Sequence, residues 1–436
     1  MDRISIVGFG HIGSAIATVL SVKSKKIYGL DNNKELIKKF NEGDCPFEEP
    51  YLRQKLIPKI RNKKIICTSD YSVISKSNIV INTVGTPIFA KKVDLSYLEN
   101  SMKKIASFVK KNTLIIIKST VPPKTTINLY KKFFKNKNVY MCFSPERIAE
   151  GNLINEFKKL PIILGGVNEE SNRVAEKFFK RYLNVKIIKT SNSTEAELVK
   201  LFDNLWIDLN ISLGNEVGKI CNKLDVNAMN VIKAANTLKK GSSNVNILLP
   251  SIGVGGYCLT KDPWFLHNYA KEHELEIYTP SISRKINDGM PLYLSEIFLN
   301  KIKNLKIKKP KILILGYSFK SNSGDTRYTP VEKFISLIKK NRNLGQIHIC
   351  DPLVRRENIL SDFSKNLFIN FNDVTSSKSK YDVVFLMNGH KIFKLNIKKI
   401  FSSIKQKGLL VDGRYYFTEK EIIKIKKKLN FLGVGW

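Results

Sequence analysis

The 436-residue chain is 43% hydrophobic and 10% aromatic, which excludes a disordered chain and exceeds what one ordinary core can hold, so two or three domains are expected. Its 74 basic and 38 acidic residues leave a formal charge of +36, yet the basic residues are mostly lysines scattered in pairs such as Lys38-Lys39, Lys131-Lys132 and Lys339-Lys340. Without an arginine cluster or an aromatic-basic repeat this reads as a solvated surface, with no nucleic-acid partner, although its field would draw an anionic small molecule; without an uninterrupted apolar run of ~20 residues no membrane span is expected.

Ile4–Val7 reads as a short strand running into Gly8-Phe9-Gly10-His11-Ile12-Gly13 and then an apolar helical run, Ser14–Leu20. This is a GxGxxG fingerprint in its required setting, strand before and helix after. The first glycine makes a tight turn, the second lets a pyrophosphate approach, and the third lets helix pack on strand. The helix N-terminus then faces the phosphates with its positive dipole end. Gly8, Gly10, Ile12 and Gly13 are therefore expected at the cofactor, with His11 as a filler position. A second strand, Lys26–Leu30, ends in Asp31, which lies 31 − 13 = 18 residues past the last glycine. That is close to the ~20 expected for the carboxylate that holds a ribose 2′-hydroxyl. An aspartate there repels a 2′-phosphate, so NAD is favoured over NADP.

Further strands are expected at Ile79–Val84, Leu114–Lys118, Val139–Phe143, Ile162–Leu164 and Val185–Ile188. Helical stretches separate several of them, which predicts a mostly parallel, doubly wound sheet with its ligand crevice at the carboxyl ends of the strands. The segments just past those ends are polar: Gly85-Thr86-Pro87, Ser119-Thr120-Val121-Pro122, and Ser144-Pro145-Glu146-Arg147-Ile148-Ala149-Glu150-Gly151. Thr-Pro and Ser-Pro are ordinary turn formers; three such segments at successive strand ends point to one site. A long helix follows, about Thr194 to Lys223. Thr194 and Glu197 match a capping box, and Leu198, Leu201, Phe202, Leu205, Leu209, Leu213, Val217 and Ile220 recur as a helical stripe. Thirty residues would span ~45 Å, long enough to connect domains or build a dimer interface. Lys200 and Asn204, four apart, share a face beside the stripe. They are either solvated or aimed together at a substrate oxygen.

Ser251–Trp264, SIGVGGYCLTKDPW, packs Cys258, Lys261 and Asp262 behind Gly255-Gly256. A thiolate nucleophile needs access, a nearby cation and a proton acceptor, and all three residue types are present. The alternative is a buried, inert cysteine in a Gly-rich turn. The six cysteines lie far apart with no CxxC pair, so neither a metal site nor a disulfide framework is indicated, and a reducing cytoplasm fits. Ile277–Leu299, with Arg284-Lys285-Ile286-Asn287-Asp288, reads as more helix, and the lysine-rich 301–309 as a boundary. Lys311–Leu315 then opens a second strand–glycine unit, ILILGYSFK, followed by Ile347–Cys350 with Asp351, Val383–Met387, and Leu409–Val411 with Asp412-Gly413-Arg414. This repeats the first layout without its full glycine set, as expected of a second Rossmann-like domain serving a different nucleotide. The expected fold is α/β: two Rossmann-like, doubly wound parallel-sheet domains joined by a long central helix. Residues 1–192 would bind NAD, 193–300 would carry the linker helix and the cysteine loop, and 301–436 would bind the second nucleotide.

GFGHIG, KSTVPP, FSPERIAEG, the helix with Lys200 and Asn204, GVGGYCLTKD and GYSFKSNSGDTR follow one another in an order that resembles the nucleotide-sugar 6-dehydrogenases, the UDP-glucose / UDP-N-acetylhexosamine / GDP-mannose dehydrogenase family. The resemblance covers almost the whole chain. It implies four-electron oxidation of a UDP-sugar C6 alcohol to a carboxylate with NAD, on a homodimer built around the long helix. Cys258 would form the thiohemiacetal and thioester, and Lys200 and Asn204 would stabilise the oxyanion. Asp262, Thr120 and Glu150 would position or deprotonate water. Thr86, Thr120, Lys261 and Arg327 would lie on the cofactor side; Lys320, Glu146, Arg147, Asn246 and Gly255 would meet the sugar nucleotide. The chain departs from the family pattern at Tyr257, where Ser or His is usual, at Ser251, and at Asn244, where acetamido-sugar members carry an arginine. Glu146-Arg147 and Val245-Asn246-Ile247-Leu248 resemble the acetamido type, Ala149-Glu150-Gly151 the glucose type.

The expected substrate is a UDP-N-acetylhexosamine of the mannosamine type, with UDP-glucose as the alternative. A two-electron β-hydroxyacid dehydrogenase would share the first fingerprint and a helix lysine but needs neither the cysteine nor a second nucleotide domain. A basic binding protein that kept the fold without the chemistry would form no NADH and would bind nucleic acid in a salt-sensitive way.

Overall fold

The computed structural model describes residues 2–47, 49–148, 153–241, 243–376 and 380–436. The chain packs as two compact units, Met1–Asp203 with Trp264–Glu276, and Asn204–Pro263 with Ile277–Trp436. Among the described residues no helix is long and apolar enough to cross a membrane.

The first unit is built on an eight-stranded sheet of β1 (Arg3–Val7), β2 (Lys26–Leu30), β3 (Ile65–Thr68), β4 (Ile79–Asn82), β5 (Leu114–Ile117), β6 (Tyr140–Phe143), β7 (Ile162–Gly166) and β8 (Ile187–Lys189). Their order across the sheet is β8-β7-β6-β5-β4-β1-β2-β3. The central strands are continuous apolar runs, such as LIII in β5, because helices cover both faces of a parallel sheet. The pairings from β3 through β1 to β6 are parallel. β7 reverses, antiparallel to β6, and β8 runs parallel to it. One core lies on each face, around Phe9, Ile16 and Phe40 on one side and Met102, Ile105 and Phe143 on the other. Helix α1 (His11–Leu20) follows β1 directly. β3, IICT, escaped the reading of the sequence because it is four residues long beside the basic Arg61-Asn62-Lys63-Lys64 run.

Helix α2 (Ser193–Leu224) is the long helix. Its start differs in chemistry from the expected capping box. Asn192 Oδ1 accepts from the Glu195 amide at 3.1 Å and Glu195 Oε2 from the Ser191 amide at 2.8 Å. Glu197 instead reaches away and accepts from the Thr126 amide at 2.7 Å. The box is shifted by two residues because Glu197 is fully buried and cannot fold back over the helix end. Farther on, helix α3 (Asp262–Glu272) follows the cysteine loop, and helix α4 (Thr279–Asn304) runs five residues beyond the expected Leu299.

The second unit holds a five-stranded parallel sheet: β9 (Ile312–Leu315), then helix α5 (Pro330–Lys339), β10 (Ile347–Cys350), β11 (Tyr381–Leu386), β12 (Ile404–Asp412) and β13 (Asn430–Gly433). The order is β10-β9-β11-β12-β13. β9 pairs on both sides, with β10 and β11. Phe298 of α4 meets Phe385 of β11 edge-on at 4.9 Å, and Phe334 of α5 meets the same ring at 5.1 Å. β13, NFLG, was not expected: with one fully apolar pair it carries no strand signal until it docks in register beside β12.

Candidate active site

In the first unit the fingerprint glycines divide their work by geometry. Gly8 has φ +87°, and a Cβ there would sit 2.8 Å from the Thr83 and Val84 backbone. A Cβ on Gly13 would lie 2.3 Å from Gly8 O, so helix and strand meet closer than any side chain allows. A Cβ on Gly10 would meet nothing within 4 Å: this is the open place in the turn. Gly10 is the N-cap of α1 and the helix has no side-chain cap, so its first amides, Ile12 among them, are presented to a ligand. Thr83 Oγ1 donates to Gly8 O at 2.6 Å and braces the turn, a role the sequence did not reveal. Asp31, half-buried at the end of β2, accepts from the Asn33 amide at 2.9 Å. His11 Nε2 lies 3.3 Å from Glu49 Oε2 and its ring stacks on Phe47. These residues fit a dinucleotide, with an open, uncapped turn for an anion and a half-buried carboxylate at the end of the neighbouring strand.

The polar strand ends of this unit partly converge. Thr86 Oγ1 donates to the Thr120 carbonyl at 2.6 Å, joining two of the expected site residues. Buried Lys118 lies 3.3 Å from Glu146 Oε2, and Glu146 Oε1 accepts from the Arg147 amide at 3.0 Å. Arg147 Nε donates to Asp203 of α2 at 2.8 Å. The Glu146 and Arg147 side chains are therefore engaged within the protein itself, and Lys118 is a partner that reading the sequence missed; its place two residues before Thr120 was the only signal. Glu150 lies outside the described residues. Lys200 is buried at 9% exposure and, among the described residues, has no hydrogen-bond or ion-pair partner. A cation in that state is held ready for an oxygen that it can pair with.

In the second unit Cys258 is exposed, unlike the other five cysteines, which are buried. Burial pushes the Cys67, Cys142 and Cys350 thiols up to about 12, so they stay protonated. The turn around Cys258 runs into α3: the Cys258 carbonyl accepts from the Lys261 and Asp262 amides at 3.1 and 2.9 Å. Asp262 is fully buried. Its Oδ1 accepts from Lys261 Nζ at 2.6 Å and its Oδ2 from Asn204 Nδ2. Three expected residues thus meet in one hydrogen-bonded group beside the cysteine turn. Lys261 also lies 5.2 Å above the Tyr257 ring.

Gly255 and Gly256 are required by packing inside the second unit. A Cβ on Gly255 would lie 2.6 Å from Phe319 Cβ, and one on Gly256 2.5 Å from the Phe319 ring. Here the protein's own GYSFK segment fills the space. Arg327, half-exposed, pairs with Asp325, accepts the Gly256 amide on its carbonyl at 2.9 Å, and lies 5.6 Å from the Tyr257 ring centre. Lys320 is half-buried and Asn246 exposed, the latter accepting from Asn210 Nδ2 at 2.6 Å on its carbonyl. Among the described residues no group of three His, Cys, Asp or Glu side chains could hold a metal ion.

The face of α2 that carries Asn204 is polar and buried. Lys200, Asn204, Asp208, Ser212 and Asn215 are each at most 9% exposed. Opposite them Phe202, Trp206, Leu213, Ile220 and Leu224 are 46–65% exposed, at intervals of four and seven residues. The expected apolar stripe is therefore only partly core: Leu201 and Leu205 are buried, but Phe202, Leu213 and Ile220 are not.

An open glycine turn before an uncapped helix, one mostly parallel and one fully parallel nucleotide-type sheet, and an accessible cysteine beside a buried carboxylate define a dinucleotide-using α/β oxidoreductase. Three family models match in chain order, all of the UDP-glucose/GDP-mannose dehydrogenase family: the NAD binding domain over residues 2–183, the central domain over 194–289 and the UDP binding domain over 313–419. The chain belongs to the UDP-glucose/GDP-mannose dehydrogenase family. It is 31% identical over 444 residues to a UDP-N-acetyl-D-mannosamine dehydrogenase of Methanococcus vannielii, covering 100% of this chain and 98% of that one. A solved UDP-D-ManNAc dehydrogenase structure from Pyrococcus horikoshii superposes with a TM-score of 0.85 at 30% identity, covering 99% of both chains. The UDP-N-acetyl-mannosamine dehydrogenase Cap5O of Staphylococcus aureus does so with 0.81 at 26% identity, covering 99% of this chain and 98% of that one.

Proposed function

We propose that this chain oxidises the C6 hydroxyl of a UDP-N-acetylhexosamine, of the N-acetylmannosamine type, to the uronate, using NAD. The observation that carries the reading is Cys258 exposed on a turn whose neighbour Asp262 is hydrogen-bonded to Asn204, one helical turn from buried Lys200, which has no partner among the described residues. The names of the relatives at about 30% identity support the sugar, and Asp31 supports NAD over NADP. When bound, NAD supplies the hydride acceptor for each of the two oxidations.

The protein's part follows from its side chains. Asp262, with Thr120 and Glu150, takes or positions the proton of the C6 hydroxyl and later of water. The Cys258 thiolate adds to the C6 aldehyde carbon, forming the C–S bond of a thiohemiacetal. The Lys200 ammonium and the Asn204 amide donate to the oxyanion that this creates, a role commonly worth a few kcal/mol per donor. Loss of the C6 hydride leaves a thioester, and water then adds, expelling the Cys258 thiolate and leaving the carboxylate. Thr86, Lys261 and Arg327 would contact the cofactor side; Lys320 and Asn246 would meet the sugar nucleotide directly, whereas Glu146, Arg147 and Gly255, engaged within the protein, would shape that side through the groups they hold.

The active species is a homodimer. The exposed Phe202, Trp206, Leu213, Ile220 and Leu224 make an apolar stripe the length of α2, and a second copy of the same helix is its natural cover. Six cysteines spread along the chain with no CxxC pair fit a reducing cytoplasm. The deciding experiment is NADH yield across UDP-N-acetylhexosamines and UDP-glucose. Two NADH per UDP-N-acetylmannosamine is expected. One per sugar would remove the thioester route, and preference for UDP-glucose would overturn the sugar assignment. Cys258→Ser should lower uronate formation at least ~1,000-fold while NAD affinity stays within about twofold.

A further inference from the structure

Asp208, Asn215, Arg284 and Asn287 form a buried polar group inside the second unit that none of the proposed chemical steps uses. Arg284 is 1% exposed and Asp208 0%. Arg284 Nη1 donates to Asp208 Oδ1 at 2.7 Å and to the Leu259 carbonyl at 3.3 Å. Arg284 Nη2 donates to Asp288 Oδ1. Asn287 Nδ2 donates to Asp208 Oδ1 at 2.8 Å and to the Asp208 carbonyl at 2.9 Å. Asn287 Oδ1 accepts from Asn215 Nδ2 at 2.9 Å, and Asn215 Oδ1 accepts from the Ser251 amide at 2.8 Å. The chain of bonds therefore starts and ends on the cysteine loop, at Ser251 where it begins and at Leu259 next to Cys258.

A buried ion pair is a poor way to gain stability, since apolar side chains of the same volume often do as well. What it supplies is direction: each bond fixes an angle and a register. Here both anchors lie on α2, Asp208 and Asn215, seven residues or ~10 Å apart along the helix. Asp208 is one turn from Asn204, which holds Asp262. The loop is thus tied to the helix at two separate heights, beyond the Asn204–Asp262 bond itself.

We propose that Arg284, Asp208, Asn287 and Asn215 form a clamp that holds the Cys258 turn in register with Asn204, making Arg284 and Asn215 positioning residues for the reaction. The inference rests on the proposed cysteine chemistry, but its physical core is the order of the loop. Misplacing a reacting group by ~1 Å can lower a rate ~100-fold.

The test uses the full chain. Arg284→Lys keeps the charge opposite Asp208 but cannot reach both partners with one planar fork, and Asn215→Ala removes only the Ser251 anchor. Expected for each is a kcat at least tenfold lower, with KM for sugar nucleotide and NAD within about threefold. Hydrogen exchange in 251–261 should be at least tenfold faster, with exchange in β9–β12 unchanged. Unaltered kcat or unaltered loop exchange overturns the clamp. Should both variants fail to fold, exchange in the unmodified chain decides. A Ser251 amide protected like the middle of α2 supports the clamp, and a rapidly exchanging one overturns it. A wild-type chain that forms no NADH would sink the functional reading instead, and loop exchange would still be measurable.

Discussion

The two sheets of this protein open on the same turn and then diverge. In the first unit the Gly8 amide donates to the Leu30 carbonyl at the end of β2 (2.8 Å); in the second the Gly316 amide donates to the Cys350 carbonyl at the end of β10 (2.9 Å). Both glycines are left-handed, at φ +87° and +93°. An aspartate comes next in each neighbouring strand, Asp31 and Asp351. Asp31 stays half-buried and leaves the turn open. Asp351 turns inward, and its Oδ2 accepts from the Tyr317 amide, the Ser318 amide and hydroxyl, and His390 Nε2, all at 2.8–3.1 Å. The Asn322 amide donates to His390 Nδ1 at 2.8 Å, which fixes the ring as the Nε2–H tautomer. The second unit has filled its anion position with its own carboxylate. A repeated strand–glycine–strand–aspartate pattern is therefore evidence of fold, and the use of the turn depends on where one carboxylate points.

The sharpest way to break this comparison is Asp351→Ala. It leaves several buried donors without an acceptor, so the second unit should lose about 3 kcal/mol or more, read by denaturant unfolding with hydrogen exchange in 312–318. NAD affinity should stay within about twofold; a large loss of affinity would mean that the second turn also serves the dinucleotide. Next is pH, where Asp351 and Glu197 should act in opposite directions. Burial acts to raise Asp351, but the His390 hydrogen bond and the Ser318 and Tyr317 amides outweigh it and hold it below the ordinary 3.8. Its contribution is present above 3.8 and lost as pH falls through the lower folded value. Burial pushes Glu197 in the first unit up to about 7 from an ordinary 4.5, against the pull of Thr126. Stability from that group is complete below 4.5 and lost as pH rises to about 7, by roughly 3 kcal/mol. Glu197→Gln should flatten that loss, seen as a melting temperature that gains on wild type at pH 8 but not at pH 4.

Gly10→Ala and Gly316→Ala sharpen the contrast of open against filled. A Cβ at 316 would lie 2.4 Å from Asn388 Cβ, whereas one at 10 meets nothing. Gly10→Ala should fold with only a small drop in melting temperature, since alanine caps a helix less well than glycine, yet weaken NAD at least tenfold in a fluorescence titration. Gly316→Ala should melt several degrees lower with NAD binding unchanged. The smallest effect concerns the start of α2. Asn192→Ala should cost about 1 kcal/mol and Thr194→Ala only a few tenths, which thermal denaturation can separate.

What the amino-acid sequence settled alone was local and periodic. The strand–GxGxxG–helix run needs only neighbours to be recognised, because each glycine answers a backbone constraint within a few residues. The apolar runs of β1, β4, β5 and β9 announce strands buried on both faces. The pairing of Cys258 with Asp262 in one loop, and of Lys200 with Asn204 on one helix, is likewise a matter of spacing. Tertiary structure decided which face of α2 is buried. By sequence the leucines claim the core, yet Asp208 and Asn215 are buried, where Arg284, Asn287 and the Ser251 amide, 36 to 79 residues away, hydrogen-bond to them. It also decided what fills the space at Gly255 and Gly256, which is Phe319, and that β3 and β13 are strands, since short segments gain that identity only from the neighbour they dock against. Spacing along the chain can place a polar group on a face. Whether that group is solvated, paired or waiting for a ligand depends on partners that the fold alone brings near.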